Sequence, residues 1–192
     1  MKRLVIVGVL VVASLLIGSG ATFSDYNASR SVHWNITTDD AELIDLKPIQ
    51  PYAYIDDRGE LVLDFSPSNP NFPGYGYGIS PASEYNFDEV FAVSNHLWEN
   101  VAIVVRITSS IASIEFYGGG VHSVEDGSLA TASDSAAQDV CFVLDHNAEK
   151  SIGVDLSADG DSPEDVWYGS MTIKAYRFGE EPSELTNKCG QG

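Results

Sequence analysis

"YNFDEVFAVSNHLWENVAIVVRI", Tyr85 to Ile107, holds two apolar runs separated by a polar stretch that begins at Asn95. In the second run Val101, Ile103, Val105 and Ile107 occupy alternate positions, which places all four on one face of a β-strand. The first run, Phe87 to Asn95, reads as a second strand. The same pattern recurs on either side. Ala53 to Ile55 and Glu60 to Phe65 flank Asp56-Asp57-Arg58-Gly59, the composition of a hairpin connection. Ile111 to Tyr117 ends at Gly118-Gly119-Gly120, and Val140 to Leu144 and Lys150 to Leu156 follow. In Trp167 to Phe178, Met171, Ile173 and Ala175 face one way while Thr172, Lys174 and Tyr176 face the other. No long amphipathic helix and no internal repeat interrupts the series. Eight or nine short strands predict an all-β chain, a single antiparallel jelly-roll or Ig-like β-sandwich.

Two stretches interrupt the strands. Ser66 to Ser83, "SPSNPNFPGYGYGISPAS", is a long Pro/Gly/Ser/Asn loop whose Phe72, Tyr75 and Tyr77 suit it to making contacts. Ser123 to Gln138 is polar and rich in Ala, Ser and Asp, a loop or a marginal short helix.

The N-terminus has its own logic. Met1-Lys2-Arg3 is a basic start, Leu4 to Gly18 an apolar run, and Ser19-Gly20-Ala21 places small residues at a cleavage site. The run is shorter than the ~20 residues a spanning helix needs. The reading is an export signal cleaved after Ala21; retention as an uncleaved anchor or a type IV pilin signal are the alternatives. Loss of Lys2 and Arg3 leaves eight Lys and Arg against 28 Asp and Glu, a net charge of −20. Such a surface repels nucleic acid and anionic lipid, so neither is an expected partner, and a membrane is reached only through an uncleaved signal.

Downstream, "ATFSDYNASRSVHWNIT" (Ala21 to Thr37) alternates again. Tyr26, Ala28, Val32, Trp34 and Ile36 form an apolar stripe broken only by Arg30, and the intervening positions are all polar. This is a half-buried strand, yet no turn and no partner strand follow at hairpin distance. Asn27 and Asn35 begin glycosylation sequons on its polar face.

Chemistry-bearing motifs are few. His33, His96, His122 and His146 include no H-E-x-x-H pair, and there is no nucleophile elbow or phosphate-binding glycine loop. The best metal candidate is "DLSADGD", in which Asp155, Ser157, Asp159 and Asp161 have the alternate spacing that converges oxygens on calcium. The bland reading is a solvated acidic turn between strands. No other cofactor is expected, and the chain is read as non-enzymatic. Cys141 and Cys189 are the only cysteines; after export they are expected to pair, the alternative being a buried free Cys141.

The stretch "GSGATFSDYNAS" directly after the export signal resembles the TasA/camelysin-type surface proteins, a group that includes the archaeal bundling pilins. Tyr85 to Ile107 is similar to that family's paired central strands, joined by an Asn-containing turn, and Leu144 to Tyr176 to its closing strands. The sequence departs from the pattern at Asn95-His96-Leu97, where Asn-Gly is common, and in having two cysteines. The resemblance implies a jelly-roll-like fibre subunit outside the cell, in which the N-terminal strand of one copy completes the sheet of its neighbour. It would divide the chain into a signal (1–21), a donor segment (22–39), a sandwich (40–180) and a tail (181–192). The expected function is a homopolymeric filament, pilus or biofilm-matrix subunit at the cell surface; the alternative is a monomeric or membrane-tethered adhesion domain.

Overall fold

The computed structural model describes residues 31–32, 35–124, 136–158, 160 and 165–189. The chain divides into two units, Met1–Asn35 and Ile36–Gly192. In the first, Ser31, Val32 and Asn35 are exposed and carry no regular structure. Tyr26, Asn27, Ala28, Arg30 and Trp34 lie outside the described residues.

The second unit is an antiparallel β-sandwich, as the alternation predicts. One sheet has the order β1 (Leu46–Pro48), β4 (Glu84–Ser94), β9 (Glu149–Ser157), β6 (Ile114–Tyr117). The other has the order β10 (Met171–Arg177), β5 (Ile103–Ser109), β8 (Asp139–Leu144), β7 (His122–Ser123). A hairpin of β2 (Ala53–Ile55) and β3 (Leu61–Leu63) completes the strands among the described residues. The β4–β9 pair encloses the β5–β8 pair in sequence, and each member of one lies in the opposite sheet from the other. The inward faces of these four strands meet: Phe91, Val93, Ile152 and Val154 pack against Ile103, Val105, Ile107, Val140 and Phe142. Burying each such side chain stabilises by about 1.5–3 kcal/mol, which makes this seam the main source of stability.

One expectation is corrected here. The central strands Phe87–Asn95 and Val101–Ile107, expected as a pair, do not hydrogen-bond to each other; β4 and β5 belong to different sheets. Both carry a continuous apolar face, and two such faces are best covered by stacking across a core rather than lying edge to edge. Asn95 turns the chain between the layers. It is fully buried, and its Nδ2 donates to the carbonyls of Val101 (2.9 Å) and Leu144 (3.3 Å). Its Oδ1 accepts from the Leu97 N–H at 3.3 Å, and its main chain bonds Asn147 and Ala148. Asn95→Ala leaves the buried Leu144 carbonyl and the part-buried Val101 carbonyl without this donor. The expected cost is about 2–4 kcal/mol, read as a lower urea midpoint at unchanged slope.

The segment read as a C-terminal tail begins with regular structure. Ser183–Cys189 is a short helix, α1, laid on the outer face of the β5/β8 sheet. A seven-residue helix is not stable by itself. Leu185 is buried against Val104 and Cys141, and a disulfide joins Cys141 to Cys189 as expected. Arg106 on β5 completes the attachment, with forked bonds to Asp139 (2.8 and 2.5 Å) and a contact of 2.6 Å to Glu184. These carboxylates hold the Arg106 guanidinium still further above its usual range, so it stays charged throughout.

At the other boundary the body begins before residue 40. Asp39, in the 3-10 turn Asp39–Ala41, donates its N–H to the Gly59 carbonyl (2.8 Å) and accepts the Leu61 N–H on its carboxylate (2.7 Å). Gly59 has a positive φ of 84°, and a Cβ there would meet Thr38. Thr38 and Asp39 are thus clamped to the β2–β3 turn.

Candidate functional site

Sheet edges are the places where a β-sandwich is chemically unfinished, because each carries a row of unpaired N–H and C=O groups. The edges here are not equivalent. β1 has three residues and ends in Pro48, which cannot donate. β6 is covered in part by Ala137, which exchanges two backbone bonds with Phe116 (2.8 and 3.1 Å). β7 has two residues. β10 is different: all seven residues pair with β5 on one side, and among the described residues no strand pairs on the other.

The side chains of β10 tell the same story. Met171, Ile173 and Ala175 point into the core, in register with Ser109, Ile107 and Val105. Ile107 and Val105 are fully buried, whereas the three β10 residues are only half-buried. The core is thus less fully covered at the β10 edge than at its centre. At one end of this edge lies a cavity of about 140 Å³, lined by Ile44, Leu97, Val101 and Ala175 with Glu99 and Arg177 among its walls. Trp98, Phe178 and Leu43 are exposed near the same end; Phe178 donates its N–H to the Ala102 carbonyl at 3.0 Å. Val32 and Ile36, members of the N-terminal stripe, are 82% and 81% exposed.

A larger concavity, about 800 Å³, lies on the outer face of the β4/β9 sheet. It is built by a bulge: β4 shifts register between Phe87 and Phe91, and Glu89 takes a φ of 52°. Gly153, opposite the bulge, has no side chain, and the Tyr117 ring lies where its Cβ would be. The Tyr117 hydroxyl reaches across to Asn86 and to Asp88, the latter at 2.8 Å. Burial, and then Asp88, push its pKa far up, so it remains a donor. Lys150 donates to the Gly119 carbonyl. Asn86, Asp88, Tyr117 and Lys150 thus each have a partner within the fold.

Two of the calcium candidates, Asp155 and Ser157, lie on a strand. Strand β9 runs through Ser157, so Asp155 and Ser157 sit two residues apart on a strand, beside Asn86 and Glu84 of β4. Strand pairing takes precedence there because Leu156 between them packs on the core. Asp159 and Asp161 lie outside the described residues. Among the described residues, no group of three or more His, Cys, Asp or Glu is arranged to hold a metal. Burial, and then Glu84, raise the Asp155 pKa. A raised carboxyl pKa means the folded chain keeps this proton longer than the unfolded one. Stability therefore falls as pH rises from the ordinary carboxylate value through the raised one. Asp155→Asn is accordingly expected to raise Tm at pH 7 and to leave it unchanged near pH 2.

Of the other expected sites, Asn35 is exposed, and Asn27 lies outside the described residues. In the long loop, Tyr75 and Tyr77 are exposed while Asn69 is buried, its amide donating to the carbonyls of Pro51 (2.9 Å) and Asp64 (2.7 Å). The open edge itself is not named by any sequence motif. The nearest signal is the polar alternation of Thr172, Lys174 and Tyr176, which marks β10 as half-exposed without saying which edge is free.

The class this defines is an all-β sandwich whose unfinished element is a backbone edge. Residues 36–180 match the family model described as "Protein of unknown function (DUF1102)", and the chain belongs to that family. The match spans the sandwich and leaves both the N-terminal segment and α1 outside it. No curated protein matches the chain.

Proposed function

We propose that this chain is an exported, non-enzymatic structural subunit that polymerises into a cell-surface filament or matrix fibre. The β10 edge of one copy accepts the N-terminal strand of another. One observation carries the reading: β10 is a seven-residue edge with no strand paired on its outer side among the described residues, and with core-facing Met171, Ile173 and Ala175 left half-covered. Addition of a strand there supplies a ladder of backbone bonds, and alternate side chains fix its register. The N-terminal segment has the complementary composition, with an apolar stripe that has no partner in its own stretch of sequence. Val32 and Ile36, both largely exposed, are apolar groups that docking would cover. The polar positions, including the sequon residues Asn27 and Asn35, would then point away from the core, where glycans are tolerated.

The test is direct. Mature protein starting at Thr22 is examined by sedimentation and negative-stain microscopy, at an ionic strength high enough to screen a charge of −20. Fibres of uniform width are expected. A monodisperse monomer at all salt concentrations overturns the proposal and leaves the tethered adhesion domain as the better description.

A further inference from the structure

Arg30 is the one residue of the N-terminal stripe that docking into an apolar core does not explain. The β10 edge offers one position for it. Glu99 lines the cavity where β10 ends, is exposed, and makes no side-chain hydrogen bond or ion pair among the described residues. Arg177 lines the same cavity.

We propose that Arg30 of one copy pairs with Glu99 of the next, and that this pair sets the register and direction of the docked strand. The inference rests on the strand-exchange reading above. Arg30 to Ile36 is seven residues, the length of β10. At about 3.4 Å per residue the two segments match in extent. Running antiparallel to β10, the segment brings Arg30 to the Arg177 end and Ile36 to the Met171 end. Val32, Trp34 and Ile36 then fall beside Ala175, Ile173 and Met171. The parallel arrangement puts the guanidinium beside Met171 and an isoleucine at Glu99.

The two features divide the work. A slip by one residue turns Ser31, His33 and Asn35 inward, which the apolar stripe forbids. A slip by two keeps the stripe inward, and only the charge resists it, because it moves Arg30 away from Glu99. Arg177 sharpens the choice: without Glu99, two guanidinium groups meet at one end of the groove, and like charges placed opposite each other are destabilising.

The experiment is a charge exchange on the full mature chain. Glu99→Arg, which leaves Arg30 facing two cations, should raise the critical concentration for fibre formation about tenfold or more at low salt, with monomer melting unchanged, whereas Arg30→Glu still meets Arg177 and should raise it less. Glu99→Gln should give a smaller rise. The double exchange should restore assembly. A one-to-one mixture of the two single variants should also assemble, because each donor then meets a complementary acceptor. A Glu99→Arg chain that assembles like the parent, or a mixture that does not assemble, overturns the Arg30–Glu99 pairing. Failure of the parent chain to form fibres overturns the strand-exchange reading itself.

Discussion

Removal of Thr22 to Thr37 should leave a folded monomer that forms no fibres. The cut stops short of Thr38 and Asp39, whose contacts with the β2–β3 turn belong to the sandwich. The sandwich core draws on β4, β5, β8 and β9, none of which is touched, so the melting temperature should fall by no more than about 3 °C. Assembly has no such reserve. Val32, Trp34 and Ile36 each contribute about 1.5–3 kcal/mol on full burial. Ordering the segment costs about 1–2 kcal/mol per residue. The side chains alone do not hold it, and the backbone ladder along β10 has to make up the difference. Trp34→Asp should therefore weaken assembly far more than His33→Asp, since only the first places a charge in the groove. A truncated chain that unfolds as a monomer would show that the segment completes its own sheet, and the adhesion-domain reading would replace the fibre.

The second large effect concerns the disulfide. Cys141→Ser with Cys189→Ser removes a link across 48 residues, worth about 4 kcal/mol in the chain-entropy model. For a domain of this size that is a fall of roughly 8–16 °C in Tm. The loss has a local component, because α1 cannot persist alone. Once it leaves, Val104, Val143 and Tyr176 lose the cover that Leu185 and Cys189 provide. Hydrogen exchange should speed up in β5 and β8 facing α1, while β9 remains protected. Non-reducing peptide mapping of the parent chain should recover Cys141 and Cys189 as one linked peptide. An unchanged melting temperature in the double variant would assign the attachment of α1 to Arg106 and its carboxylates instead.

Much of this molecule is legible one strand at a time. The alternation of Ile103, Val105 and Ile107, and of Met171, Ile173 and Ala175, follows from the two-residue period of a strand, and the structure places both sets toward the core. The Pro- and Gly-rich loop and the hairpin around Asp56 to Gly59 are likewise local, since turn residues act within a few positions. The two cysteines needed only each other, having no other partner in the chain. Each of these depends on residues near in sequence, or on a choice with one answer.

What the tertiary structure alone decided is how the strands are shared between the sheets. A period of two says which face is apolar and nothing about the neighbour. The split of β4 and β5 into opposite layers depends on Asn95 finding carbonyls at Val101 and Leu144, and Leu144 is 49 positions away. The extension of the expected strand through Ser157, a residue read as part of a turn, is imposed by pairing with β4 and by Leu156 beside it. The helix Ser183–Cys189 is too short to be stable without the sheet it covers. The open edge is the most non-local feature of all: it exists because every strand except β10 has its outer side shortened or covered by something distant in sequence. Only β10, among the described residues, keeps a full row of backbone groups for a partner.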